Sequence, residues 1–212
     1  MMISNNTKLH AINRVFDAMG QAGINTMQEL DYNIDAGDIA RNIDSHSATI
    51  QVHGGKGYWF NREGFHKLFP DPDTGRIKLP NGALAVRLKR LPLGAETSLT
   101  VRGRYLMDMR EHGYDMRPFA EADGRVHIVV IMFVDYDDLP QTAKDAVVAL
   151  TRFWFIQDKE VDSAKLQSLR MDISSTLTAL ELEDSSHMRR NAFHNKYMHH
   201  DLAMIGGFLN NN

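Results

Sequence analysis

Histidine and aspartate side chains gather near the end of the chain, in the stretch HMRRNAFHNKYMHHD, where they could bind a metal ion or exchange protons. On a helix, His187, His194 and Asp201 follow one another at steps of seven and form one stripe. Each step covers about 10 Å along the axis, too far for ligands that lie about 2 Å from one metal. The adjacent His199 and His200 point in different directions and do not complete the site. We favour a polar helix face, and a metal-dependent hydrolase is our third functional hypothesis.

Two loops carry part of a ligand-binding pattern. The glycine-rich stretch HGGKG, residues 53–57, could bring backbone N–H groups close to a phosphate, with Lys56 supplying charge. It lacks the P-loop spacing, and Tyr58 stands where a helix should start. The stretch DPDTG begins like a calcium loop at Asp71, but its twelfth position is Gly82 rather than glutamate. Both stretches therefore predict turns.

Three acidic residues, Asp135, Asp137 and Asp138, follow a strongly apolar stretch. On a strand, Asp135 and Asp137 lie on the same side, a geometry that a magnesium ion can use. The interpretation we favour is that Asp138 caps the next helix, with its neighbours near the positive end of the helix dipole. We accordingly expect no metal site and no cofactor.

Composition narrows the chemistry further. The chain has no cysteine, which excludes disulfides, thiol catalysis and iron–sulfur clusters. It contains no G-x-S-x-G nucleophile elbow, no H-E-x-x-H zinc motif and no dinucleotide-binding fingerprint. A non-enzymatic protein is therefore favoured, and no catalytic residue is predicted.

Length and hydropathy bound the architecture. The 212 residues are 43% hydrophobic and 24% charged, enough for a buried core in one large domain or two small ones. No apolar run approaches the roughly 18 residues needed to span a bilayer, and the first residues lack the pattern of a signal peptide. We expect a soluble, cytoplasmic protein.

The N-terminal part changes from helical to strand-like patterning. Apolar residues within 9–19 have the spacing of one helix face, with Asn6 or Thr7 to cap its start and Gly20 or Gly23 to end it. A short second helix is plausible between Asp35 and Ile43. The stretch SATIQVHGGKGYWF then predicts a strand, a glycine turn and an aromatic strand.

Two central stretches predict a sheet. Residues 125–135, RVHIVVIMFVD, are almost continuously apolar and β-branched, which is typical of a central strand covered on both faces. Residues 85–105, AVRLKRLPLGAETSLTVRGRY, predict a hairpin of two strands joined by a Pro/Gly turn.

The remainder of the chain is helical in pattern. Asp138, Pro140 and Gln141 predict the start of one helix. A second, about residues 162–182, carries a seam of leucine and isoleucine at spacings of three and four, and a third runs from 185 to about 204.

These elements predict an α+β fold: an N-terminal helix, a central antiparallel or mixed β-sheet, and a C-terminal bundle of about three helices. The N-terminal helices and the sheet would occupy residues 1–134, and the helical region residues 135–212. No obvious linker separates the two regions, so one continuous domain is the alternative.

Charge is distributed unevenly along the chain. The formal net charge is −3, but residues 46–134 carry +4, whereas residues 1–45 carry −3 and residues 135–212 carry −4. In the predicted hairpin, four cations share one face, opposite an apolar face that packs on the helices. Like charges that face each other across strands are unfavourable by roughly 0.2 to 1 kcal/mol per pair. We therefore expect something negative to cover the basic face.

The leading hypothesis is a non-enzymatic nucleic-acid-binding accessory protein, in which the cations contact phosphates and aromatic side chains stack on bases. The alternative is a structural or inhibitory interaction protein that docks on an acidic partner. In either case we expect a homo-oligomer formed through the C-terminal helices and no membrane partner. The residues assigned to the nucleic-acid contact are Arg87, Lys89, Arg102, Arg104, Tyr105, Lys56 and Tyr58.

Overall fold

Helices at both ends of the chain enclose a central β region. The computed structural model describes residues 7–52, 55–88, 99–157 and 162–194. This order of helices, strands and helices confirms the predicted α+β class. The elements are α1 (Lys8–Met19), α2 (Ile34–Val52), β1 (Arg62–Leu68), β2 (Ala83–Leu88), β3 (Leu99–Arg102), β4 (Tyr105–Asp108), β5 (Val126–Met132), α3 (Gln141–Ile156) and α4 (Ser163–His194).

Helix α1 has the caps expected of its sequence. The Thr7 side chain accepts a hydrogen bond from the backbone N–H of His10, and Gly20 ends the helix in a left-handed conformation at φ 71°. Its apolar stripe is buried at Ile12, Val15 and Phe16. The predicted helix and its face are both confirmed.

Helix α2 is longer than predicted and replaces a predicted strand. The stretch at 47–52 continues the helix, so the prediction of a strand there is wrong. Part of the inward face is polar: Gln51 is fully buried, donates to the carbonyl of Val134 at 2.8 Å and accepts from its N–H at 2.8 Å. These bonds allow a polar residue to be buried on the inward face of the helix. That polar residue interrupts the apolar period by which the helix would be recognised in the sequence.

Strand β5 is the middle strand of an antiparallel sheet ordered β1-β5-β2. Val130 is paired with Glu63 of β1 on one side and with Val86 of β2 on the other. The predicted central strand is therefore confirmed.

The predicted hairpin between β2 and β3 is wrong within the described residues. Strand β2 pairs with β5, whereas β3 pairs with β4 in a separate two-stranded sheet. Arg102 at the end of β3 is paired with Tyr105 at the start of β4, and the tight turn between the two strands lies between them. The hairpin is therefore formed by β3 and β4, with Gly103 and Arg104 in its turn, rather than by β2 and β3. The predicted Pro/Gly turn lies outside the described residues.

Helix α3 begins later than its acidic start signal suggests. Tyr136–Asp138 form a 3-10 turn, and α3 starts at Gln141 with Pro140 before it and no side-chain cap. The prediction that Asp138 caps the helix is wrong, because extended residues at Leu139 and Pro140 separate it from the first turn.

Helix α4 is continuous where two helices were predicted. Asp184, Ser185 and Ser186 are typical of a helix start, but they lie within one helix from Ser163 to His194. The Asp184 carboxylate does not cap a new helix here, because it accepts hydrogen bonds from another part of the chain. In the described part of the chain, no helix is both long and apolar enough to cross a membrane.

Within the described ranges, two groups of buried residues form the interior. The larger unites all four helices with Tyr58 and Tyr136, and the smaller lies in the β region around Ile77, Leu106 and Ile128. The helical group draws on both sides of residue 134. The division of the chain at that residue stays a prediction.

Candidate functional site

The cations assigned to the hairpin face lie in different sheets. Arg87 is exposed on β2, Arg102 is exposed at the end of β3, and Arg104 is exposed in the following turn. Lys89 lies outside the described residues. The three described cations, Arg87, Arg102 and Arg104, therefore do not lie on one hairpin.

The aromatic residues assigned to base stacking are covered to different degrees. Tyr58 is 2% exposed and packs in the helical core, which contradicts its assignment to an accessible surface. Burial, together with the charges of nearby acidic residues, raises the pKa of the Tyr58 hydroxyl to about 12. Tyr105 is half-buried under the guanidinium of Arg76, 5.8 Å from its ring centre. Lys56 is exposed in the turn before β1.

The histidines of the C-terminal stretch do not build a metal site in the described residues. His187 stacks on the ring of Trp59, with ring centres 4.7 Å apart. The side chain of His194 and residues 199–201 lie outside the described part of the structure. Within that part, no group of three or more histidine, aspartate or glutamate side chains is arranged to hold a metal.

The acidic residues after β5 make structural hydrogen bonds. The Asp137 carboxylate accepts from the backbone N–H of Lys8, at 2.7 Å, which ties the start of α1 to this turn. The buried ammonium of Lys144 donates to the Asp137 carbonyl at 2.7 Å. This turn therefore joins α1 to α3.

Helix α4 packs on the helical core through its leucine seam. Leu169 and Leu180 are buried, and Leu177 is packed against the helical core. The seam predicted from the sequence is confirmed at these positions.

A polar contact fastens the C-terminal half of α4 to the start of the β region. We call it the Asp184 latch: the carboxylate of Asp184 accepts from the Arg62 guanidinium at 2.5 Å and from the backbone N–H of Trp59 at 2.8 Å. Arg62 also donates to the carbonyls of Lys56 and Gly57, at 3.0 and 2.9 Å. One guanidinium thus closes the turn before β1 and holds α4 against it.

A second polar contact links α4 to α3. The Thr142 hydroxyl donates to Glu183 at 2.6 Å, one residue before the latch. With the seam, the latch and this bond, the inner side of α4 is fixed over most of its described length.

The opposite side of α4 carries no charge over about 30 Å. Its exposed residues are small, hydroxylic or apolar apart from one glutamine, and Met171 and Leu182 are 65% and 64% exposed. We call this surface the α4 outer face, and its members are Ala164, Gln167, Ser168, Met171, Ser174, Ser175, Thr178, Leu182 and Ser185.

Such a face is unusual, because a solvated helix normally presents Lys, Glu and Arg on the side opposite its apolar stripe. This face was not predicted from the sequence. Serine, threonine and methionine recur at the helical period between the seam positions, and this pattern indicates an uncharged helix face.

A pocket of about 270 Å³ opens between the two sheets. Its walls include Leu79, Pro80, Val101 and Gly103, and Arg104 lies at its edge and donates to Asn81. A backbone bond from Leu79 to the carbonyl of Arg104, at 2.8 Å, holds the two sides together.

Positive charge is concentrated in the segments that form the pocket. Arg104 lines it, the exposed Lys78 and Arg102 are adjacent in sequence to lining residues, and residues 76–88 and 99–107 contain no acidic residue. We call these three cations with the pocket the basic rim.

Comparison with known proteins identifies the family. A family model described as tail tubular protein matches residues 9–190, which is most of the chain, and no curated protein matches. This is a family of structural virion components, so the prediction of a nucleic-acid-binding accessory protein is wrong. The alternative hypothesis of a structural interaction protein agrees better with the match, which also favours protein partners and a homo-oligomer. The chain belongs to the tail tubular protein family.

Proposed function

We propose that this chain is a structural subunit of a virion tail, which assembles with copies of itself and places the α4 outer face in a subunit contact. The observation that carries the proposal is the family match over residues 9–190. That match includes most of α4 and both sheets, so it involves the surfaces as well as the core.

The chemistry of the α4 outer face supports a protein partner. A surface without charged groups has little to lose by desolvation, and its two exposed large apolar side chains gain by burial. Burying one leucine or methionine side chain contributes about 1.5 to 3 kcal/mol. The small serine and alanine side chains allow another element to approach the helix closely.

The support beneath the helix also favours this role. A contact surface that is already ordered loses little entropy on association. The Asp184 latch and the leucine seam hold α4 from its inner side, so that the outer face is ordered before association.

The proposal is tested by placing a charge on the α4 outer face. We expect Leu182→Glu to weaken self-association about tenfold or more, because a carboxylate must be desolvated in the contact. Met109→Glu is a matched control, since Met109 is exposed in the β region and outside this face. Sedimentation velocity measures both variants. Equal association of Leu182→Glu and wild type would refute the role of this face.

A further inference from the structure

The segment between α1 and α2, together with the first two residues of α2, exposes more apolar surface than a solvated segment needs. Tyr32 is 74% exposed and Ile34 is 80% exposed, and Met27 adds a third large side chain nearby. We call residues 25–35 the Tyr32 loop. Exposed aromatic and aliphatic groups concentrated in so short a segment are typical of a protein contact.

The Tyr32 loop is held in shape by hydrogen bonds. The Glu29 carboxylate accepts from the backbone N–H groups of Asn25 and Thr26, at 2.9 and 3.0 Å. Asn13 of α1 bonds to both backbone groups of Ile24, each at 2.8 Å. Since the loop is ordered before binding, the exposed side chains are presented at low entropic cost.

The loop is acidic and the pocket is basic. Residues 15–40 contain no lysine or arginine. Asp31 and Asp35 are exposed on either side of Tyr32 and Ile34, and neither forms an ion pair within the described residues. The basic rim presents the opposite charge at a pocket with a mixed polar and apolar lining, and Arg102 likewise has no ion-pair partner in the described residues.

The size of the pocket suits a side chain better than a cofactor. At about 270 Å³ it lies below the roughly 300 to 1,000 Å³ of small-molecule sites, and it is open. Its lining combines apolar side chains with the polar groups of Asn81 and Arg104, which matches a tyrosine, whose ring is apolar and whose hydroxyl is polar. Tyrosine and arginine are also the residues most often found at the energetic centre of interfaces.

We propose that the basic rim receives the Tyr32 loop of a second copy of this chain. Tyr32 enters the pocket, and Asp31 and Asp35 lie against the rim arginines. The inference rests on the proposed function, because it takes self-assembly as given and names a second contact besides the α4 outer face.

The proposed contact joins two different surfaces, so it is head-to-tail. A head-to-tail contact repeats from copy to copy and produces a closed ring or an open filament, whereas a contact of one surface with itself ends at a pair. This geometry fits a family whose members are described as tubular.

Charge reversal on each side tests the proposal. The rim variant carries Arg102→Glu and Arg104→Glu, and the loop variant carries Asp31→Lys and Asp35→Lys. We expect each to weaken self-association about tenfold, since two pairs change from attraction to repulsion. A chain with all four changes should recover to within about threefold of wild type, because the charges are complementary again.

Tyr32→Ser is an independent variant that leaves the charges in place. Since Tyr32 is 74% exposed, this change leaves folding intact, and we expect a loss of association similar to that of the charge variants. Circular dichroism confirms the fold of every variant, and sedimentation velocity gives the association constants.

The outcomes separate this inference from the proposed function. If every one of these variants associates as strongly as wild type, the Tyr32 contact alone is overturned. A four-change chain that folds but does not regain association would overturn it as well. A wild-type chain that remains a monomer at every concentration would overturn the proposed function itself.

Discussion

The α4 outer face and the basic rim are surfaces of opposite physical character on one chain. The first is uncharged over about six helical turns, and the second combines a pocket lined by Arg104 with two exposed cations, Lys78 and Arg102, that are adjacent in sequence to lining residues. Association through the first depends on apolar burial and close packing, which salt hardly weakens. Association through the second depends on charge, which salt screens beyond about 10 Å at 0.1 M. The two contacts can therefore be separated experimentally.

The largest effect contrasts the two sides of α4. Leu180 is fully buried and Leu182 is exposed, only two residues away. Leu180→Ala should lower the free energy of unfolding by about 3 kcal/mol, through lost burial and a cavity. Leu182→Ala should change it by less than about 0.5 kcal/mol in the monomer while weakening self-association. Urea denaturation of dilute protein measures both, and a large stability loss for Leu182→Ala would contradict the assignment of the outer face.

The next effect concerns the support of α4. Asp184→Asn should cost about 2 kcal/mol, because Arg62 loses its charged partner in a mostly buried position. Asp172→Asn is the matched control on the same helix, where the pair with Arg152 is more exposed. We expect less than about 1 kcal/mol there. Equal costs in denaturant titrations would show that the latch is no more important than a surface ion pair.

Salt should divide the two contacts. In the Leu182→Glu variant, the remaining association occurs through the basic rim and should weaken about tenfold between 50 and 500 mM salt. In the rim variant, the remaining association occurs through the α4 outer face and should change less than about threefold. Sedimentation at both salt concentrations measures this difference. The same salt response in both variants would indicate that the two surfaces belong to one contact.

The smallest effect is a dependence of stability on pH. His46 is buried beside Thr151, with 2.9 Å between Nδ1 and the hydroxyl, and burial lowers its pKa from the usual 6.5. Below pH 6.5 the unfolded chain binds a proton that the folded chain resists, so the free energy of unfolding falls as pH decreases toward the folded pKa. His46→Gln should flatten this fall, whereas His10→Gln, at an exposed position of α1, should leave it in place. Urea titrations between pH 7.5 and 5 measure it.

Local signals were sufficient for elements whose pattern was uninterrupted. Helix α1, with Thr7 and Gly20 at its ends, and strand β5, with its apolar β-branched run, follow directly from the sequence. The sequence-based predictions were wrong where polar residues within a helix make long-range hydrogen bonds, which no local pattern shows. Gln51 in α2 bonds to Val134, and Asp184 in α4 bonds to Arg62.

The surfaces were harder to predict than the core. The positive charge was recognised in the sequence, but its arrangement was wrong because strand pairing is non-local and β2 pairs with β5 rather than with β3. Met171 and Leu182 indicate in the sequence that the outer side of α4 is apolar in part. The leucine seam was sufficient to predict the helix, so the residues on its other side were not interpreted.

Sedimentation velocity of the purified chain over a wide range of protein concentrations is the decisive test of self-assembly. We predict species heavier than the monomer whose proportion rises with concentration and falls in Leu182→Glu. A chain that sediments as a monomer at every concentration, at both low and high salt, would contradict the account of a self-assembling tail subunit.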